Sequence, residues 1–205
     1  MFQSAFPQAL ERDTAALEER LELRSICPTG HLITPEEQRS WHLPGGGTIR
    51  FPYRIYLPDR LNETALPPRQ AVMLHCLFSR SCDGYVRQRH VQALLDGETP
   101  EWALPYIVEI CGEYVVQILE LVYSRLRNRD TAAYAELCRL NLPRFLHVHA
   151  RMVSYWNEYY RWGDCRQYRR YVGRALFKER FGYTRSLERV GRESDRMKEM
   201  RNEDP

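Results

Sequence analysis

The stretch ALPYIVEICGEYVVQILELVY, residues 103–123, decides the fold. Its polar positions Glu109, Glu113, Gln117 and Glu120 fall on one narrow helical stripe, and nearly everything else in it is apolar. That pattern predicts a helix from about Trp102 to Arg127, apolar around most of its circumference and so central to a core. The stretch is long enough to cross a bilayer, but Glu109, Glu113 and Glu120 would each cost about 2–3 kcal/mol at a membrane centre. A buried core helix follows, with no membrane contact.

Toward the C-terminus the same 3.6-residue periodicity predicts a helix from Thr131 to Leu140, an interruption at Asn141-Leu142-Pro143, and a further helix to about Arg161. Residues 166 to 181 read as a basic amphipathic helix with Val172, Leu176 and Phe177 apolar, and Glu193 to Pro205 as a frayed end. On the other side, Ala71 to Ser79 and Tyr85 to Leu95 are helical, separated by Asp83-Gly84. Farther out, Leu10, Leu17 and Leu21 place an amphipathic helix over Gln8 to Leu23. Cys27-Pro28-Thr29-Gly30 is a turn, and Thr34-Pro35-Glu36-Glu37 is a capping box that starts a short helix.

Leu43-Pro44-Gly45-Gly46-Gly47 ends any helical run, and Thr48 to Tyr56 alternates as a strand with Trp41 to Leu43 as its partner. Pro52 confines that strand to an edge, so the sheet is small. Asp59 to Gln70 is a linker. The fold class is therefore mainly α: a compact multi-helix domain with antiparallel helix pairs and a small β hairpin near the N-terminus. Residues 1–68 form an N-terminal helix, hairpin and irregular section packed on the main body, 69–181 the helical core, and 182–205 a charged, flexible tail.

Composition narrows the function classes. At 205 residues with 43% hydrophobic side chains, the chain can bury one good core. Of 30 basic residues all but Lys178 and Lys198 are arginine. An arginine-rich genome would produce the same excess, but the distribution is uneven. Residues 1–160 carry 17 basic and 19 acidic groups, whereas residues 161–205 carry 13 and 8. Guanidinium groups bind carboxylate and phosphate in a bidentate fork and stack on aromatic planes, so a basic end interleaved with tyrosine suits an anionic partner. The N-terminal Met1-Phe2-Gln3-Ser4-Ala5-Phe6 lacks the basic and apolar regions of a secretory signal, which predicts a cytoplasmic protein. Six cysteines spread along the chain read as reduced thiols.

Asp83-Gly84-Tyr85-Val86-Arg87 followed by Ala93-Leu94 resembles the first helix of HEAT-type helical repeats, with His90 in place of the small residue and the alanine spacing shifted. The resemblance covers about a fifth of the chain, and no second copy appears at a 40-residue period, where a solenoid needs about three repeats. It implies helix pairing, a helix face used for protein or nucleic-acid binding, and an Asp83/Arg87 ladder.

Chemistry-bearing residues were weighed one set at a time. His75, Cys76, Cys82 and His90 have zinc-type side chains, but their spacing matches no finger or ribbon, and Cys76 sits in an apolar run, so no metal or cofactor is expected. His147 and His149 point about 200° apart on one helix and cannot share an ion. Glu109 and Glu113 lie one turn apart, yet the Glu-x-x-His partners of a di-iron bundle are missing, so pairing with Arg87, Arg144 or Arg151 is preferred. Gly45-Gly46-Gly47 lacks the Gly-Lys-Ser/Thr ending of a phosphate loop, and no elbow, metalloprotease or dinucleotide fingerprint occurs. Met152, Tyr155, Trp156 and Tyr159 have the spacing of a core stripe. What remains for binding is Arg166, Tyr168, Arg169, Arg170, Tyr171 and Arg174.

The sequence thus points to a non-enzymatic adaptor or scaffold that binds a protein partner, with homo-oligomerisation open. An RNA- or DNA-binding role for the basic region is the first alternative. An enzyme using Glu109/Glu113 with His90 or His147 is the second.

Overall fold

The computed structural model describes residues 1–21, 37–163 and 165–191, and among them the fold is mainly α with one two-stranded hairpin. The turn at Cys27, the capping box at Thr34 and the end from Glu193 lie outside the described residues. Two compact units divide the chain between Ile110 and Cys111.

In the first unit, a single-turn helix at Gln8–Leu10 leads into α1 (Glu11–Arg20), which starts with Glu11 and Asp13 and ends with Arg20, each sign where the helix dipole favours it. Strands β1 (Gln38–His42) and β2 (Thr48–Pro52) pair antiparallel with Trp41 opposite Ile49. Gly46 and Gly47 turn the chain between them at φ 94° and 83°, a region where side chains with a Cβ are strained. Period-two alternation buries Trp41, Ile49 and Phe51, and Phe51 stacks on Tyr106 at 4.0 Å. Pro52 sits at the strand end, as an edge proline must.

Beyond the hairpin, Pro68 opens α2 (Pro68–Phe78), and Asp83 caps α3 (Gly84–Asp96) by accepting from the backbone N–H groups of Tyr85 and Val86. Arg87 donates to the carbonyls of Ser81 and Cys82, tying α3 to the turn before it. The helix α4 (Leu104–Ile110) is buried throughout. The second unit holds α5 (Val116–Arg125), α6 (Ala132–Leu140), α7 (Leu142–Tyr155) and α8 (Val172–Glu179), with residues 185–191 also helical. Phe145, Phe177, Phe181 and Tyr134 stack through its core.

Two expectations are corrected. The long helix from Trp102 to Arg127 is broken at residues 111–115. A Cβ on Gly112 would lie 2.9 Å from Val148 Cγ1 and 3.2 Å from the Val148 carbonyl oxygen, so the backbone approaches α7 where only glycine fits. The Tyr160 hydroxyl then accepts from Val116 N–H at 3.2 Å, satisfying one open donor at the start of α5. Glu109 and Glu113 therefore do not form a stripe on one helix. Glu109 is buried at the end of α4, 3.4 Å from Arg39 and accepting from the Trp41 indole. The expected helix over 166–181 is also shorter: Tyr168–Arg170 is a single-turn helix, Tyr171 is extended, and α8 begins at Val172.

The end of α7 departs from regular geometry. Trp156–Tyr160 is a π turn, with Arg161 N–H bonded to the Trp156 carbonyl five residues back. No helix among the described residues is long and apolar enough to cross a membrane.

Candidate functional site

Two places combine chemistry with geometry. The first is the basic, aromatic end of α7 in the second unit. Segment 165–171 folds back on that end: Trp156 donates its indole N–H to the Cys165 carbonyl at 2.9 Å and packs on Tyr168, and Tyr160 stacks on Tyr171 at 5.8 Å. Arg166, Arg169 and Arg170 are exposed there, and Arg174 is half-buried.

The two tyrosines expected to face a partner do not do so. Tyr171 is 2% exposed, with its hydroxyl pushed to a higher pKa by burial, and its ring belongs to the packing. Tyr168 is half-buried, raised to about 12 by the same cause, and its hydroxyl meets His149 Nε2 at 3.3 Å. The aromatic planes that reach solvent are ones the sequence assigned elsewhere. Trp162 is 76% exposed with the Arg161 guanidinium 4.9 Å from its ring centre. Tyr159, read as core by its helical spacing, is 59% exposed and lies against Tyr155 and Tyr114. The π turn shifts the phase of α7 after Tyr155, so positions that would continue the core stripe rotate outward. A large aromatic left in water is the signal that sequence spacing could not give.

The second place is in the first unit, where His75 on α2 and His90 on α3 meet. Their Nδ1 atoms are 2.9 Å apart, both rings are buried, and Phe78 stacks on His90. On the far side, His90 Nε2 is 3.0 Å from Asp59, which Arg89 also pairs. His75 Nε2 is 3.6 Å from Glu63. Cys76 is buried in the core and Cys82 is exposed, so neither thiol joins the histidines. The four groups form one line, Glu63, His75, His90, Asp59.

Burial holds both imidazoles down to a pKa of about 4, with the partner His90 adding to the effect at His75 and Arg89 adding to it at His90. Both are neutral at pH 7, and each then carries one N–H. Two protons must serve three gaps. Asp59 accepts the Nε2 proton of His90, which leaves His90 Nδ1 as an acceptor for the Nδ1 proton of His75. His75 Nε2 then turns a lone pair toward the Glu63 carboxylate, and that is the longest gap of the three. His75 also borders a cleft of about 830 Å³ lined by Arg69, Val72, Leu94, Thr99 and Trp102.

Comparison of the chain with protein-family models, curated proteins and solved structures gives no match.

Proposed function

We propose that the protein is a non-enzymatic adaptor that holds an acidic protein segment against the end of α7. The exposure of Trp162 and Tyr159 beside Arg161, Arg166, Arg169 and Arg170 carries the reading. Tyrosine, tryptophan and arginine are the residues that anchor protein interfaces, because they combine large contact area with directional polar groups. The guanidinium groups supply forks for carboxylates. The resemblance of residues 83–94 to a HEAT-type helix fits the same class, with α2 and α3 as one helix pair. The cysteines among the described residues are free thiols, in keeping with a cytoplasmic setting.

Single-stranded nucleic acid is the second reading, favoured by Trp162, whose ring offers a stacking plane worth about 1–3 kcal/mol per base. The tyrosines favour protein, because Tyr114, Tyr155 and Tyr159 cover part of one another's faces.

One paired experiment separates the two. The full chain and an Arg166→Ala, Arg169→Ala, Arg170→Ala variant are each used to capture partners from the native host, and each is titrated with labelled single-stranded RNA at low and high salt. A protein captured by the wild type and lost by the variant supports the adaptor. RNA binding that weakens steeply with salt, and falls in the variant, replaces the adaptor with the nucleic-acid reading. Capture and RNA binding both indifferent to the three arginines overturn any role for this face.

A further inference from the structure

We infer that the line of Glu63, His75, His90 and Asp59 is a binding site for one divalent transition-metal ion of the zinc class. One ligand atom each from Glu63, His75 and His90 lies within 4.8 Å of the others, and no ion is present.

The argument begins with the unfilled gap. Two neutral imidazoles between two carboxylates lack one positive centre, and either a proton or a metal ion can provide it. The proton is disfavoured at neutral pH, because burial opposes charging either ring. A divalent ion is attracted instead by two neutral nitrogen donors and two carboxylates, of which only Asp59 is offset by an arginine, Arg89.

The ligand roles follow from the partners each atom already has. Asp59 occupies Nε2 of His90, so His90 can ligate only through Nδ1, and Asp59 becomes the outer carboxylate that fixes its tautomer and ring orientation. His75 brings a second imidazole to the same spot. Two nitrogens on one tetrahedral ion, each about 2.0–2.1 Å from it, stand about 3.3 Å apart. The present Nδ1 to Nδ1 separation of 2.9 Å is close to that, so a small rotation of either ring suffices if His75 also uses Nδ1. Glu63 is half in solvent on a single-turn helix and can swing its carboxylate in as the third ligand. Two histidines and one carboxylate leave a fourth position for water or a ligand atom, and the cleft beside His75 gives a way in. Imidazole and carboxylate together suit zinc, cobalt(II) or nickel(II) better than the all-oxygen sets preferred by calcium or magnesium.

The test uses the full chain, stripped with chelator and titrated with Zn²⁺ by calorimetry and with Co²⁺ by visible absorption. A background carrying Cys27→Ser, Cys82→Ser and Cys165→Ser excludes thiolate binding. The expected result is one equivalent bound, with the d–d bands of a four- or five-coordinate Co²⁺ site unchanged in that background. His90→Gln weakens binding at least 100-fold, Glu63→Gln about tenfold, and Asp59→Asn about 10–100-fold with the ligands intact. Glu63 lies on the surface, so Glu63→Gln decides the question even where a histidine variant fails to fold. The site is overturned if the folded wild type takes up no metal at tens of micromolar ion. It is equally overturned if folded Glu63→Gln and Asp59→Asn bind as tightly as the wild type.

Discussion

The histidine line of the first unit and the aromatic end of the second break the same rule in opposite directions. One buries titratable groups among apolar neighbours; the other leaves tryptophan and tyrosine in water. Burying imidazoles costs free energy that hydrogen bonds must offset, so the histidine line is bound up with the stability of its unit. Exposed aromatics cost little to the fold, so nothing in the packing of their unit holds them there. The first region is thus constrained by the fold and the second by whatever it meets.

That contrast can be broken most forcefully at His90. Replacing it by alanine removes the partner of both His75 and Asp59 and empties the space against Phe78, so the expected loss is about 3 kcal/mol of unfolding free energy. Urea unfolding followed by circular dichroism reads it as a lower midpoint at unchanged slope. A loss below about 1 kcal/mol would place the pair among ornaments rather than supports of the unit.

A smaller effect sharpens the comparison inside the second unit. His149 stacks on Tyr183 at 3.8 Å and is lowered to about 4 chiefly by burial. Its folded pKa lies below the unfolded value of about 6.5, so the unfolded chain takes up the proton first as pH falls. The stability it permits is whole above about pH 6.5 and is lost progressively between there and pH 4. From pH 7 to pH 5 the expected loss at this ring is about 1 kcal/mol, after discounting for its partial exposure. His149→Gln should remove that share of the pH dependence, as thermal melts at both pH values would show.

The smallest effect belongs to Trp162. Its alanine variant should unfold within about 0.5 kcal/mol of the wild type while losing the captured partner. A destabilisation of more than about 1 kcal/mol would mean that Trp162 is a packing residue, and the contrast between the two regions would collapse.

Much of the fold was legible because apolar period and punctuation act locally. Pro68, the Asp83 cap and Gly97 bound α2 and α3 close to where their residues predict. The hairpin follows from the glycine turn and the alternation around Ile49. The break after Ile110 was not legible, since it depends on Val148 meeting Gly112 from a distant part of the chain. The histidine line was hidden for a related reason. His75 and His90 are fifteen residues apart on different helices, and their carboxylate partners lie in a segment that reads only as a linker. A search for metal spacing within one helix or turn finds nothing there. At the basic end, the arginines were found by charge alone, but which aromatics accompany them depends on a helical phase that residue types do not encode.

The π turn at Trp156–Tyr160 carries a consequence for any attempt to compare this chain with another. Removing one residue within those five would restore the ordinary repeat and swing all that follows by about 100° around the helix axis. Tyr159 and Trp162 would turn away from the solvent they now face, although every residue type remained. Two such chains would align with a single gap and nearly full identity, yet present different chemistry to a partner. In this part of the molecule, counting residues matters more than matching them.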